Sequence, residues 1–243
     1  MAGERPALTG EPGYRRLEAT RIVATLDTLG RRIAERFPES SLARLCRETH
    51  SIAQQTHDNI RRLQRPRIGI RAASGILVLI LIGVVAVAGY NLRLPAGVTD
   101  LAALVQTVAA AVNDIVFVGI AVVFLISLET RFKRREALKA LHELRSIAHI
   151  VDMHQLTKDP EHLVSPAERT PSSPARTMTR PQLSRYLDYC SELLSLTSKL
   201  AALYGQHMDD PVVLGAVTEV ETLATGLSNK IWQKIIILDT LKS

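Results

Sequence analysis

Hydrophobic residues follow two different patterns along this chain. In one they recur every three or four positions among charged neighbours, and in the other they run on without interruption. The uninterrupted pattern occurs twice. Ala72 to Leu92 (AASGILVLILIGVVAVAGYNL) holds 21 residues without a charge, which at about 1.5 Å per helical residue matches a hydrocarbon core roughly 30 Å thick. A polar connection from Arg93 to Asp100 follows, with Pro95 and Gly97 marking a turn. The second run extends from Leu101 to Leu128 and stops at Glu129-Thr130-Arg131-Phe132-Lys133-Arg134-Arg135. The pattern predicts two transmembrane helices, 72–92 and 106–128, joined as a hairpin. A straight helix over the whole second run would be about 42 Å long, too long for the core, so the stretch from Leu101 to Val112 is expected to bend or to lie in the interface.

The periodic pattern flanks these runs on both sides. Ala19, Ile22, Leu26, Leu29 and Ile33 step by three and four, the spacing of a coiled-coil seam. Pro38-Glu39-Ser40-Ser41 interrupts the chain and offers a cap to a second helix carrying Leu42, Leu45, Thr49, Ile52, Thr56, Ile60 and Leu63. Pro66 separates that helix from the first span. Beyond the second span, Ala137, Leu141, Leu144, Ala148 and Val151 repeat the seam, and the helix is expected to stop near Thr157-Lys158-Asp159-Pro160. Val164 to Pro181 has a linker composition of Pro, Ser and Thr. Two more seams follow, one through Leu183, Leu187, Cys190, Leu194, Thr197, Ala201 and Tyr204. The other runs through Val213, Val217, Val220, Ala224, Leu227, Ile231 and Leu238, with Asp210 as cap and Pro211 at the first helical position. Around Trp232 the run Ile235-Ile236-Ile237-Leu238 is apolar on every side, suited to a bundle core first and to a partner surface second.

None of these helices can bury its stripe alone. The predicted fold is an all-α membrane protein, a two-helix transmembrane hairpin with a cytoplasmic antiparallel bundle of about five helices built from both ends of the chain. Its expected segments are an N-terminal helical hairpin (1–66), the two-span unit (67–130), a helix continuing from the second span (131–163), the linker (164–181) and a C-terminal hairpin (182–243).

Charge orients this arrangement. Residues 1–71 hold 14 Arg and no Lys against 8 acidic residues, and 129–150 hold 6 basic against 3 acidic. Residues 151–243 are slightly acidic, with 9 basic against 11. The surplus thus sits beside the apolar runs, which suits lipid headgroups and not a nucleic-acid footprint, and no basic face interleaved with aromatics is present. By the positive-inside rule both termini are cytoplasmic. The polar N-terminus lacks the features of a cleavable signal, and Cys46 and Cys190 fall on apolar faces, as small core residues of a reducing compartment do. A bacterial inner membrane fits these features.

Two groups of residues are candidates for chemistry. Asn113 and Asp114 lie inside the second apolar run, Asp114 about 21 Å from its cytoplasmic end. An ionisable group there is by default a functional candidate. Arg93, just past the first span, is within reach as a structural ion-pair partner; the alternative is an oligomeric pore conducting ions past Asp114. His50 and His57 on one flank, and His142 and His149 on the other, are spaced seven apart at similar heights, with Asp152 one turn beyond. That places a conceivable metal site between two helices, although surface histidines commonly sit at such stripe edges. The segment Asp152-Met153-His154-Gln155-Leu156-Thr157-Lys158-Asp159-Pro160 reads as a helix C-terminus.

No phosphate loop, HExxH, paired-Cys motif or nucleophile elbow occurs, and no cofactor is implied. The helices, short two-span hairpin and further cytoplasmic helices resemble the two-span effector modules of bacterial conflict systems in layout, without a shared motif. The expected function is non-enzymatic: a two-span protein of the lipid bilayer whose cytoplasmic bundle assembles with itself or with a protein partner.

Overall fold

The computed structural model describes residues 16–65, 68–91, 101–160, 171 and 178–240. Six α-helices and no strand occur among them: α1 (Ala19–Arg36), α2 (Ser41–Gln64), α3 (Ile68–Asn91), α4 (Leu101–Leu156), α5 (Arg180–His207) and α6 (Pro211–Thr240). They fall into two compact units, one formed by 1–64 with 136–243 and the other by 65–135.

The first unit is a helical bundle with one core. The α5–α6 hairpin is its largest contact, α1 and α2 form a second hairpin, and both of these pack on α5. Each predicted seam supplies the interior. Ile22, Leu26, Leu29 and Ile33 of α1 are buried, as are Leu42, Leu45, Thr49, Thr56, Ile60 and Leu63 of α2. Ala137, Leu141, Leu144, Ala148 and Val151 of α4 join the same core. Burying side chains of this size at about 25 cal/mol per Å² is the main force holding the bundle. Tyr186 and Tyr189 of α5 meet the ring of Phe37 edge-on, at 5.6 and 6.3 Å between centroids, an arrangement favoured by the ring quadrupoles.

Helix ends follow local chemistry. The turn after α1 places Glu39 at φ 57°, in the left-handed region where a side chain is strained, and Ser40 Oγ then accepts the N–H of Ala43 at 3.1 Å to start α2. Asp210 caps α6, its Oδ1 accepting the N–H groups of Val212 (3.0 Å) and Val213 (3.2 Å). The C-terminal hairpin starts at Arg180, two residues inside the expected linker. Thr179 is the reason: its N–H and its hydroxyl both donate to Gln182 Oε1, at 2.8 and 3.0 Å, and Pro181 then sits in the first turn, where a missing N–H costs nothing. The rest of the linker up to residue 177, apart from residue 171, lies outside the described residues, as do the turn 92–100 and Pro66.

The helix expected to stop near Thr157-Lys158-Asp159-Pro160 ends at Leu156, and it is the last part of α4, which begins at Leu101. No break separates the apolar part from the seamed part, and none occurs at Val112. In the second unit, Ser74 Oγ of α3 donates to the carbonyl of Leu125 of α4 at 3.4 Å. A Cβ built at Gly75, Gly83 or Gly119, the three glycines described in these helices beyond Gly69, meets nothing within 4 Å.

Candidate functional site

Among the described residues of the second unit, most large apolar side chains are exposed. Leu79 and Ile80 of α3 are exposed side by side, and so are Ile115, Val116 and Phe117 of α4. Successive helical residues are turned about 100° from one another, so three in a row spread over more than half of the helix circumference. A water-facing helix instead keeps its apolar residues to one stripe. Among the described residues one helix, α4, is long and apolar enough to cross a membrane, and none of its apolar window is buried. Contiguous exposed apolar surface on this scale marks an interaction surface in a soluble protein or a lipid-facing one in a membrane protein.

Asn113 is exposed on α4. Arg93 and the side chain of Asp114 lie outside the described residues, and with them the expected ion pair.

The histidine candidates do not converge. His50 and His57 are half-buried on α2, whereas His142 and His149 are exposed on α4. No group of three or more His, Cys, Asp or Glu able to hold a metal ion occurs among the described residues. The heptad explains this, since Leu141, Leu144, Ala148 and Val151 take the inward positions of α4 and leave the histidines on its flanks. Asp152 is engaged locally, accepting Gln155 Nε2 at 2.6 Å.

The segment from Asp152 to Pro160 is where α4 locks into the bundle. The last turn closes with Lys158 N–H on the Gln155 carbonyl at 3.0 Å, and Lys234 Nζ of α6 donates to that carbonyl at 2.9 Å. His154 Nδ1 lies 3.4 Å from Ser41 Oγ of α2, and Lys158 Nζ stands 5.6 Å from the centre of the Tyr186 ring of α5. Gln155 Oε1 is buried without a hydrogen-bond partner. Burial pulls the Lys234 ammonium below its ordinary range, partly offset by Asp159, Asp152 and Cys190. Burial also pushes the thiols up, Cys190 to about 12 and Cys46 to about 11. Both are thereby held in the thiol form, the less nucleophilic one.

A groove of about 550 Å³ between α1 and α5, lined by Arg32, Glu35, Arg36, Arg185 and Tyr189, had no counterpart in the sequence reading. Residues about 150 positions apart meet there, which no local pattern reveals. Its charges are largely matched internally. Arg32 grips Glu192 with both terminal nitrogens, at 2.8 and 3.2 Å, while standing 5.2 Å from the Tyr189 ring centre, and Arg185 pairs with Asp188 at 3.3 Å. The Arg32–Glu192 pair ties α1 to α5, the Arg185–Asp188 pair lies within α5, and together they leave little net charge to draw an ionic ligand.

The run 235–238 divides between core and surface. Ile235 and Leu238 are buried, whereas Trp232 and Ile236, one turn apart, are both more than half exposed. No protein-family model, curated protein or solved structure matches the chain.

Proposed function

We propose that this chain is a non-enzymatic integral membrane protein of two spans, α3 and the first part of α4, with both termini on the cytoplasmic side of a bacterial inner membrane. Its helical bundle is the working part and assembles with a second copy or a partner protein. One observation carries the membrane reading: among the described residues, α3 and the apolar part of α4 expose large apolar side chains over more than half of their circumference, while the seamed part of α4 and the other bundle helices turn their apolar stripes inward. Hydrocarbon accommodates such a surface and water does not. The clusters Arg61, Arg62, Arg65 and Arg131, Lys133, Arg134, Arg135 at the two ends of the apolar unit support the orientation. Exposed Trp232 and Ile236 on α6 support assembly, since aromatic residues are enriched at protein interfaces.

Topology is tested with single cysteines placed in a Cys46→Ser, Cys190→Ser background. A membrane-impermeant maleimide added to intact cells is expected to label Ala96→Cys, and to label Ser243→Cys only after permeabilisation. Labelling of both positions, or of Ser243→Cys alone, in intact cells contradicts the proposal.

A further inference from the structure

We propose that α4 carries a binding site for the phosphate of an anionic phospholipid, formed by Phe124, Leu128, Arg131, Phe132 and Arg135. The inference rests on the membrane reading above and adds a specific lipid partner to it.

Phe124, Leu128, Arg131 and Arg135 step by four, three and four, which sets them on one face of the helix. Along that face the chemistry changes from apolar to basic over two turns. Together with Phe132 they line a hollow of about 120 Å³, well below the roughly 300–1,000 Å³ of sites that enclose a drug-sized molecule and of a size for one phosphate group. The Arg131 guanidinium stands 5.2 Å from the centre of the Phe124 ring, which holds it at the rim of the hollow. Arg135 lies one turn further on, so two planar forks face the same space, and the guanidinium geometry matches phosphate oxygens in pairs. The neighbouring cation is occupied differently. Lys133 pairs with Glu129 at 2.9 Å, both largely shielded from solvent, so the nearest carboxylate is drawn to Lys133. Neither Arg131 nor Arg135 forms an ion pair among the described residues.

Both Phe132 and Phe124 remain nearly half exposed beside the two arginines. Aromatic rings next to guanidinium groups at the end of an apolar helix are the arrangement of a membrane–water boundary. A lipid fits it at both ends, with its phosphate between the arginines and its upper acyl chain along Phe124 and Leu128. The net charge of the headgroup, not of the phosphate alone, selects the lipid class. Two unneutralised guanidinium groups favour a headgroup of net negative charge, such as phosphatidylglycerol, over phosphatidylcholine, whose ammonium they repel.

The test uses the full chain in nanodiscs and in detergent, with lipid binding followed by native mass spectrometry. Wild-type protein is expected to bind phosphatidylglycerol at least about fivefold more tightly than phosphatidylcholine, and R131Q/R135Q is expected to lose that preference. K133Q should keep it, and R131K/R135K, which retains charge but not the fork, should fall between. Equal binding of the two lipids by wild-type protein overturns the proposal without recourse to any variant. An undiminished preference in R131Q/R135Q overturns it too, as does displacement of phosphatidylglycerol by millimolar inorganic phosphate, which marks a general anion site. A chain that enters phosphatidylcholine nanodiscs but shows no headgroup preference rejects this site and leaves the membrane reading standing. A chain that enters no nanodisc rejects both.

Discussion

Leu194 of α5 and Leu79 of α3 are the same residue in the interiors of helices of similar length, yet the first is fully buried and the second is 69% exposed. What differs is the company each keeps. Leu194 stands in a stripe flanked by Ser195, Glu192 and Lys199, so its helix has a wet side and a dry side. Leu79 stands among Leu77, Val78, Ile80 and Leu81, where no polar side exists to face water. An apolar stripe specifies a neighbouring helix, whereas an apolar cylinder specifies a solvent.

The same substitution in the two places should therefore have unequal consequences. Leu194→Ala is expected to cost the bundle about 2–5 kcal/mol through lost burial and the cavity left behind. Leu79→Ala should leave bundle stability unchanged, because its side chain contributes nothing to that core. Hydrogen exchange of the α5 amides in detergent-purified protein checks both, and equal losses of protection would erase the distinction between the units. Smaller, and confined to the bundle, is the effect of Asp210→Ala. Removing a carboxylate that accepts two N–H groups at the start of α6 should cost about 0.5–2 kcal/mol, seen as faster exchange in its first turn.

Smallest is a pH effect at the joint between α4 and α2. Burial, followed by Arg44 and Lys158, holds the His154 imidazole below its ordinary value, so the fold favours the neutral ring. The unfolded chain takes up this proton first as pH falls. The contribution is thus present above about pH 6.5 and declines below it, toward the lower folded value. Chemical denaturation at pH 7, 6 and 5 should show a shallower decline for His154→Gln than for the wild type. An identical slope would remove His154 from the account.

Most of the bundle could be read from the chain because its seams have a period. All seven seam residues named for α5, from Leu183 to Tyr204, are buried, and so are all seven named for α6. What the period underestimates is α5 itself. Tyr186, Tyr189, Leu193, Leu196, Leu200 and Leu203 are buried too, because α5 packs against α1, α2 and α6 at once and so has more than one inner face. One seam per helix cannot describe a central helix. The candidate sites were harder to read for a related reason. The histidines matched in height by residue count, but height says nothing of facing, and the core leucines and alanines of α4 take the inward positions. The Arg32 groove and the Gln155–Lys234 contact depend on which helices become neighbours, so they carry no local signal. Phe124, Leu128, Arg131 and Arg135 did stand in plain view at helical spacing. Their stripe acquires meaning only once Lys133 is seen to be paired with Glu129 and Arg131 to lie over Phe124.

The central claim is that the apolar helices over 68–91 and 101–128 face lipid while the bundle faces water. Alkaline carbonate extraction of cell membranes containing the full chain tests it directly. The account predicts that the protein stays in the sedimented membranes and is released only by detergent; recovery of the folded chain in the supernatant, free of lipid, would contradict it.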